Sequence, residues 1–280
     1  MTEHTYNFGR ISIYGSNIED KYRFLLDSLN ADVVITKGNY SYIIIDVEEL
    51  DYRGAKYLYG VLTKFRPVQE NPVVDVKKKT LSTDETEKQA VASAKFFVFI
   101  ESQTLMAYRP IANKISDMQF KSSFSELIGE ANNNFFVQVP VDAVNEELEI
   151  KESISILKKI TKIIYNIRPS NPSSSPFWEP YDEDMKRLGI EKETRISESQ
   201  KGIDPNELEN DRRYMGIQMA ADGYGKASIY GEKEDGSHVV ISTEKMPITY
   251  TVIDHDEPVK ILEQLHNKFL QISARTHHEE

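Results

Sequence analysis

Apolar and polar positions alternate along residues 6–14, where Phe8, Ile11 and Ile13 stand among smaller or polar neighbours, and this period of two predicts a strand. Ser16-Asn17-Ile18-Glu19 then has the spacing of a capping box. Ile18, Tyr22, Leu25, Leu26 and Leu29 follow at helical spacing, predicting a helix over 17–30 with one face on a sheet. Two β-branched runs, 31–36 and 40–47, flank the turn signal Lys37-Gly38-Asn39, and 57–65 reads as a further strand. Residues 71–89 are polar, and their second half reads as a loop or short helix. KFFVFIESQTLMAYRP, residues 95–110, reads as two apolar strands joined at Glu101–Thr104. Asp117 is placed to cap the next helix, whose Phe120, Phe124, Leu127 and Ile128 form one stripe; Lys121 falls just off that stripe, toward solvent. After Asn132-Asn133-Asn134 the pattern predicts a strand over 135–141, a helix over 150–160 and a strand over 162–167.

Three strands exit on Arg-Pro: Arg66-Pro67, Arg109-Pro110 and Arg168-Pro169. Proline has no ladder donor, so it stops pairing at each. PSNPSSSPFWEP, residues 169–180, resists regular structure and reads as a linker, although Phe177 and Trp178 are suited to docking on a flanking body. Beyond it, Asp204-Pro205-Asn206-Glu207 predicts a helix start, with the helix running to Ala221 and stopping at Gly223. Residues 224–232 and 238–243 read as a hairpin, 248–254 as a strand, and 258 onward as a last helix with Val259, Leu262, Leu265, Phe269 and Ile272 on one side. Interleaved strands and helices predict an α+β fold, with a mixed or antiparallel sheet and packed helices. The division this suggests is an N-terminal α+β domain over 1–168, the linker 169–180, and a smaller α+β unit over 181–280.

The 280 residues suffice for a substantial core, and the longest apolar runs fall far short of the roughly 20 residues of a membrane span. There is no cysteine, hence no disulfide framework, and no basic-then-apolar leader at the start, so the expected location is the cytoplasm. Net charge is −11, unevenly spread: residues 1–168 carry 21 Lys and Arg against 23 Asp and Glu, and residues 169–280 carry 13 against 22. Any contact with nucleic acid should therefore come from the first part.

No motif names a chemistry. The histidines lack the helical pair that would hold zinc, and Asp254-His255-Asp256 reads as a polar strand-to-helix junction with Asp256 as cap, because adjacent strand residues point to opposite faces. Asp142 with Glu149-Ile150-Lys151 spells a metal-nuclease pattern, but Glu149 opens a helix instead of lying on a strand platform. There is no GxxxxGK[ST] loop and no GxSxG elbow, and Gly223-Tyr224-Gly225 lies where a helix ends, the wrong pole for phosphate. No cofactor and no metal is called for. The remaining signal is cationic. Lys77, Lys78, Lys79, Arg109, Lys114 and Lys121 are the candidate nucleic-acid contacts, with Lys158, Lys159 and Lys162 a further small group.

KFFVFIESQTLMAYRP, SILKKITKIIYNIRPSNP and GYGKASIYGEKEDGSHVVISTEKMP together resemble an uncharacterised bacterial domain-of-unknown-function family of mobile-element and antiphage loci. Residues 95–140 are more remotely similar to phage exclusion proteins of the RexA type and to the KwaB subunit of the Kiwa defence system. The resemblance implies a cytoplasmic, homo-oligomeric α+β protein, not inserted in a membrane, that engages duplex DNA in a phage response; Arg109 matches the basic residue closing the RexA-like hairpin. The leading expectation is a phage-exclusion component gripping DNA phosphates without sequence preference. It requires the early cations to converge on one exposed surface. The alternatives are an adaptor whose acidic C-terminal unit docks a partner defence protein or phage protein, and a metal-dependent nuclease.

Overall fold

The structure is a computed structural model that describes residues 2–275 except 16, 17, 19, 68–69, 76–79, 86–88, 101–103, 134–136, 171–174 and 210; between 70 and 85 it describes the backbone of two strands alone. In chain order the elements are β1 Glu3–Ile11, α1 Lys21–Leu29, β2 Ile35–Lys37, β3 Tyr40–Tyr52, β4 Ala55–Arg66, β5 Glu70–Asp75, β6 Thr80–Glu85, β7 Gln89–Phe99, β8 Leu105–Tyr108, α2 Asp117–Ala131, β9 Val141–Ala143, α3 Glu147–Ser155 and β10 Leu157–Ile167. There follow α4 Glu179–Arg187, β11 Glu193–Ile203, α5 Arg212–Met219, β12 Gly225–Lys233, β13 His238–Ser242, β14 Thr249–Ile253 and α6 Pro258–Ala274. The fold is α+β, as the interleaved pattern predicted.

Two antiparallel sheets organise the chain. The first runs β14-β1-β8-β7-β4-β3-β2, with β9 also paired to β1; the second runs β11-β10-β12-β13, and β5 pairs with β6 in a separate ribbon. Alternation along β7 explains how the first sheet holds helices on both faces. Phe96 and Val98 point toward α1 and α2, where Phe96 meets Phe124 edge-on at 5.4 Å and Tyr108 stacks on Phe120 at 4.6 Å. Phe97 and Phe99 point the other way, into a layer closed by Leu262, Leu265, Phe269 and Ile272 of α6. Phe269 meets Phe8 edge-on at 5.2 Å, and Tyr57 stacks on Phe99 at 4.8 Å. Each of those four α6 side chains contributes roughly 1.5–3 kcal/mol by leaving water. Val259, expected in the same stripe, is exposed.

The second sheet packs α3, α4 and α5 against one face through Ile150, Ile154, Met185, Tyr214 and Ile217. Trp178 belongs to this core, as its position in the Pro/Ser-rich stretch suggested. It donates from Nε1 to Asp222 Oδ2 at 2.7 Å, and Phe177 meets Tyr214 edge-on. Ser170 is also fixed: Asp182 accepts from its backbone N–H at 2.7 Å. Sheet membership does not follow chain order. β10, before the Pro/Ser-rich stretch, lies inside the second sheet, whereas β14 and α6, at the far end of the chain, complete the first.

Several local expectations need correction. The helix expected over 150–160 ends at Ser155, and β10 already starts at Leu157, because Leu157, Ile160, Ile163, Tyr165 and Ile167 are all buried on the second sheet. The helix expected from 204 to 221 is a three-residue turn capped by Asp204, then α5 capped by Asp211, then a wide turn over Ala220–Tyr224. The polar segment 71–89 contributes β5 and β6. The caps of α2 and α6 are Ser116, in a capping box with Gln119, and Glu257, which makes no side-chain cap bond; they are not Asp117 and Asp256. Asp20 caps α1; the box expected from Ser16 to Glu19 lies outside the described residues.

Candidate functional site

Where the two sheets meet, β1 and β9 face the turn Ala220–Tyr224. Gly223 sits at φ 85° against the Arg10 side chain, which a Cβ would meet at 2.8 Å. Gly225, at φ 149°, would place a Cβ 2.1 Å from the Asn166 carbonyl, so glycine alone fits both positions. This close approach buries charge. Arg10 is 2% exposed, donates from Nε to the Asp222 carbonyl at 2.7 Å and lies 4.8 Å over the Tyr224 ring. Opposite it in register on β9 is Asp142, also 2% exposed, whose Oδ1 has no hydrogen-bond partner. Burial raises the Asp142 carboxyl against the charges of Lys226 and Arg168. Burial also pushes the Asp222 carboxyl up to about 6, against the Trp178 hydrogen bond and the Arg10 charge.

The seam continues through α2. Asp117 accepts from Asn7 Nδ2 at 2.8 Å and from the Tyr108 hydroxyl. Lys121 Nζ lies 2.8 Å from Asp117 Oδ2 and 3.6 Å from Glu244, which also takes Lys226 at 2.7 Å. Burial alone would raise the Asp117 carboxyl, but the Lys121 charge and hydrogen bond, with those from Tyr108 and Asn7, hold it below the usual range. The sequence placed Lys121 toward solvent; it is 7% exposed. The turn carrying Glu244 closes over a helix side that an isolated α2 would leave wet.

A second polar group lies on the α6 face of the first sheet. Asp254 Oδ1 accepts from Lys95 Nζ at 2.9 Å, its Oδ2 lies 3.2 Å from His4 Nε2, and Arg109 NH1 comes no nearer than 3.8 Å. Lys95 also donates to the His255 carbonyl at 2.7 Å. Burial would raise the Asp254 carboxyl, yet the Lys95 hydrogen bond and charge, with His4 and Arg109, pull it below its ordinary value. Asp254-His255-Asp256 is thus a polar junction, and its first member gathers cations from β1, β7 and the exit of β8. The sequence offered no signal for that role, because the partners come from positions 4, 95 and 109.

The other candidates scatter. Lys114 is exposed, and its carbonyl accepts from Lys64 Nζ at 2.8 Å. Lys77, Lys78 and Lys79 lie outside the described residues. Lys158, Lys159 and Lys162 face Glu234, Glu232 and Glu198. Of the nuclease trio, Asp142 is in the buried seam, Glu149 is exposed on α3, and Lys151 is paired with Glu209. Among the described residues there is no group of three or more His, Asp or Glu placed to hold a metal ion. No helix among them is long and apolar enough to cross a membrane.

Fold and seam define a two-sheet α+β protein whose halves are interlocked through buried charge. The chain belongs to a family described as a domain of unknown function, DUF4747, whose model matches residues 4–268 and so takes in both sheets. No curated protein matches the chain.

Proposed function

We propose that this protein is a docking subunit, a cytoplasmic homo-oligomer of a phage-response system whose acidic C-terminal half engages a basic partner chain. The phage setting, the compartment and the oligomeric state rest on the family resemblance drawn from the sequence. The docking role rests on how charge is deployed. Arg109 and Lys121, candidates for a phosphate backbone, face Asp254, Asp117 and Glu244 within the molecule. Glu183, Glu191 and Glu207 are exposed with no cation paired to them among the described residues. With a net charge of −11, the chain repels duplex DNA at long range and steers basic partners toward it.

Duplex binding remains a second reading on one observation: Lys114 is exposed just beyond the Arg109-Pro110 exit. One set of measurements separates the two. The full chain is tested by gel shift on a generic duplex at two salt concentrations, and for co-purification with the products of its neighbouring genes. Docking predicts no shift at low salt, and a basic partner released when Glu183, Glu191 and Glu207 are changed together to Lys. A shift that weakens steeply with salt and disappears in Lys77→Gln, Lys78→Gln, Lys79→Gln would establish the DNA reading in its place.

A further inference from the structure

The polar group at Asp254 is incompletely satisfied, and strand register shows why its members meet. Asn7 pairs with Tyr108, so Tyr6 stands opposite Arg109 one step further along; the Arg109 N–H bonds the Lys95 carbonyl across β7. His4 lies two residues from Tyr6, and its partner across β14, Val252, lies two from Asp254. Period-two alternation therefore sets His4, Tyr6, Lys95, Arg109 and Asp254 on one face. Arg109, with a side chain 19% exposed, has no hydrogen-bond acceptor among the described residues for its five N–H donors. The Tyr6 hydroxyl is fully buried and also lacks a partner. It is near enough for the Arg109 charge to oppose the rise that burial imposes on its pKa. Asp254 is already engaged by Lys95 and His4.

A buried hydroxyl without an acceptor is unusual in a native interior, and beside this one stands a partly exposed guanidinium with no close acceptor. We infer that Arg109, Tyr6, Lys95 and His4 form a binding site for a single phosphate group. The guanidinium fork matches two oxygens of a tetrahedral oxoanion, and the Tyr6 hydroxyl, on the same face and without an acceptor, is a free donor for a third, which a carboxylate lacks. The charge count agrees. Lys95 and Arg109 less Asp254 leave one positive charge, or two with His4 protonated, which suits a phosphate monoanion or dianion.

The probe is inorganic phosphate, titrated into the full chain by calorimetry in phosphate-free buffer. One saturable site is expected, weakened roughly tenfold or more by Arg109→Gln and several-fold by Tyr6→Phe. Tyr6→Phe also removes a buried hydroxyl that has no partner, so the free variant should be at least as stable as the parent to denaturant. Weaker phosphate binding in an equally stable protein is an outcome that a purely structural Tyr6 does not give. Competition by a nucleoside monophosphate but not by a short duplex identifies a free phosphate ester as the source; competition by both identifies a polymer backbone. Absence of saturable binding, or an affinity indifferent to both substitutions, overturns the site. Failure of the site leaves the docking reading standing, because the test of that reading rests on Glu183, Glu191 and Glu207, which take no part here.

Discussion

Asp222 is partly buried at the seam; its carboxylate accepts from the Trp178 indole, and its main-chain carbonyl accepts from Arg10. Burial lifts it to about 6 from an ordinary value near 3.8. The folded state therefore binds more protons than the unfolded chain between those values. Its contribution to stability is complete below about pH 4 and is lost as pH rises to about 6 and beyond. The loss amounts to roughly 2–3 kcal/mol. Asp117 and Asp254 are depressed and slope the opposite way, losing stability as pH falls, so the total curve of the parent does not isolate Asp222. Asp222→Asn does, since the amide oxygen still accepts from Trp178 but does not titrate. Urea unfolding of both proteins from pH 4 to pH 7 should show the variant gaining on the parent as pH rises; parallel curves would refute a neutral Asp222. Nothing in the sequence singled this residue out. An Asp beside Gly223 reads as turn chemistry, and only the distant Trp178 and Arg10 draw it into the seam.

Within α2, the capping box and the buried lysine illustrate what a local pattern can and cannot convey. The stripe Phe120, Phe124, Leu127, Ile128 depends on periodicity alone, and all four are buried as read. The hairpin of β7 and β8, the last helix and the three Arg-Pro strand exits were legible for the same reason: their signals lie within a few residues. β11 was missed because its residues are mostly exposed, leaving no apolar alternation to detect. The α3–β10 boundary was missed because Ile150, Ile154, Leu157 and Ile160 continue a helical spacing that a sheet also accommodates. Lys121 was misplaced because its cover, Glu244, is contributed from across the seam. Two substitutions compare these scales. Ser116→Ala removes a local cap and should cost about 1 kcal/mol. Lys121→Met removes the cation beside Asp117, which keeps its bonds from Tyr108 and Asn7, and leaves Glu244 to Lys226 alone; it should cost on the order of 2–4 kcal/mol. Denaturant midpoints at constant slope measure both, and a Lys121→Met cost no greater than that of the cap would show the pair to be solvated.

For the whole molecule, the return of β14 and α6 means that the first sheet is completed only from the far end of the chain, after the consecutive strands β10 to β13 have formed the second. A chain cut after 168 keeps β1 to β10, but it exposes Tyr6, Phe8, Tyr57 and Phe99 where α6 had covered them, and strips β10 of both its partners. Such a fragment should bind a hydrophobic dye and lack a cooperative transition. In the intact chain the same interlocking, with the buried Arg10, Asp142 and Lys121 at the seam, should make the two sheets unfold as one. The single tryptophan makes this measurable. Trp178 reports on the second core and the seam, while Phe269 lies in the first core, on α6. Phe269→Ala should cost about 3–5 kcal/mol, and Trp178 fluorescence should move to the lower midpoint together with far-ultraviolet circular dichroism, at an unchanged slope. If the dichroism transition moved alone while the fluorescence midpoint stayed with the parent, the sheets would be independent folding units, and the buried charge between them would be a contact surface without cooperative weight.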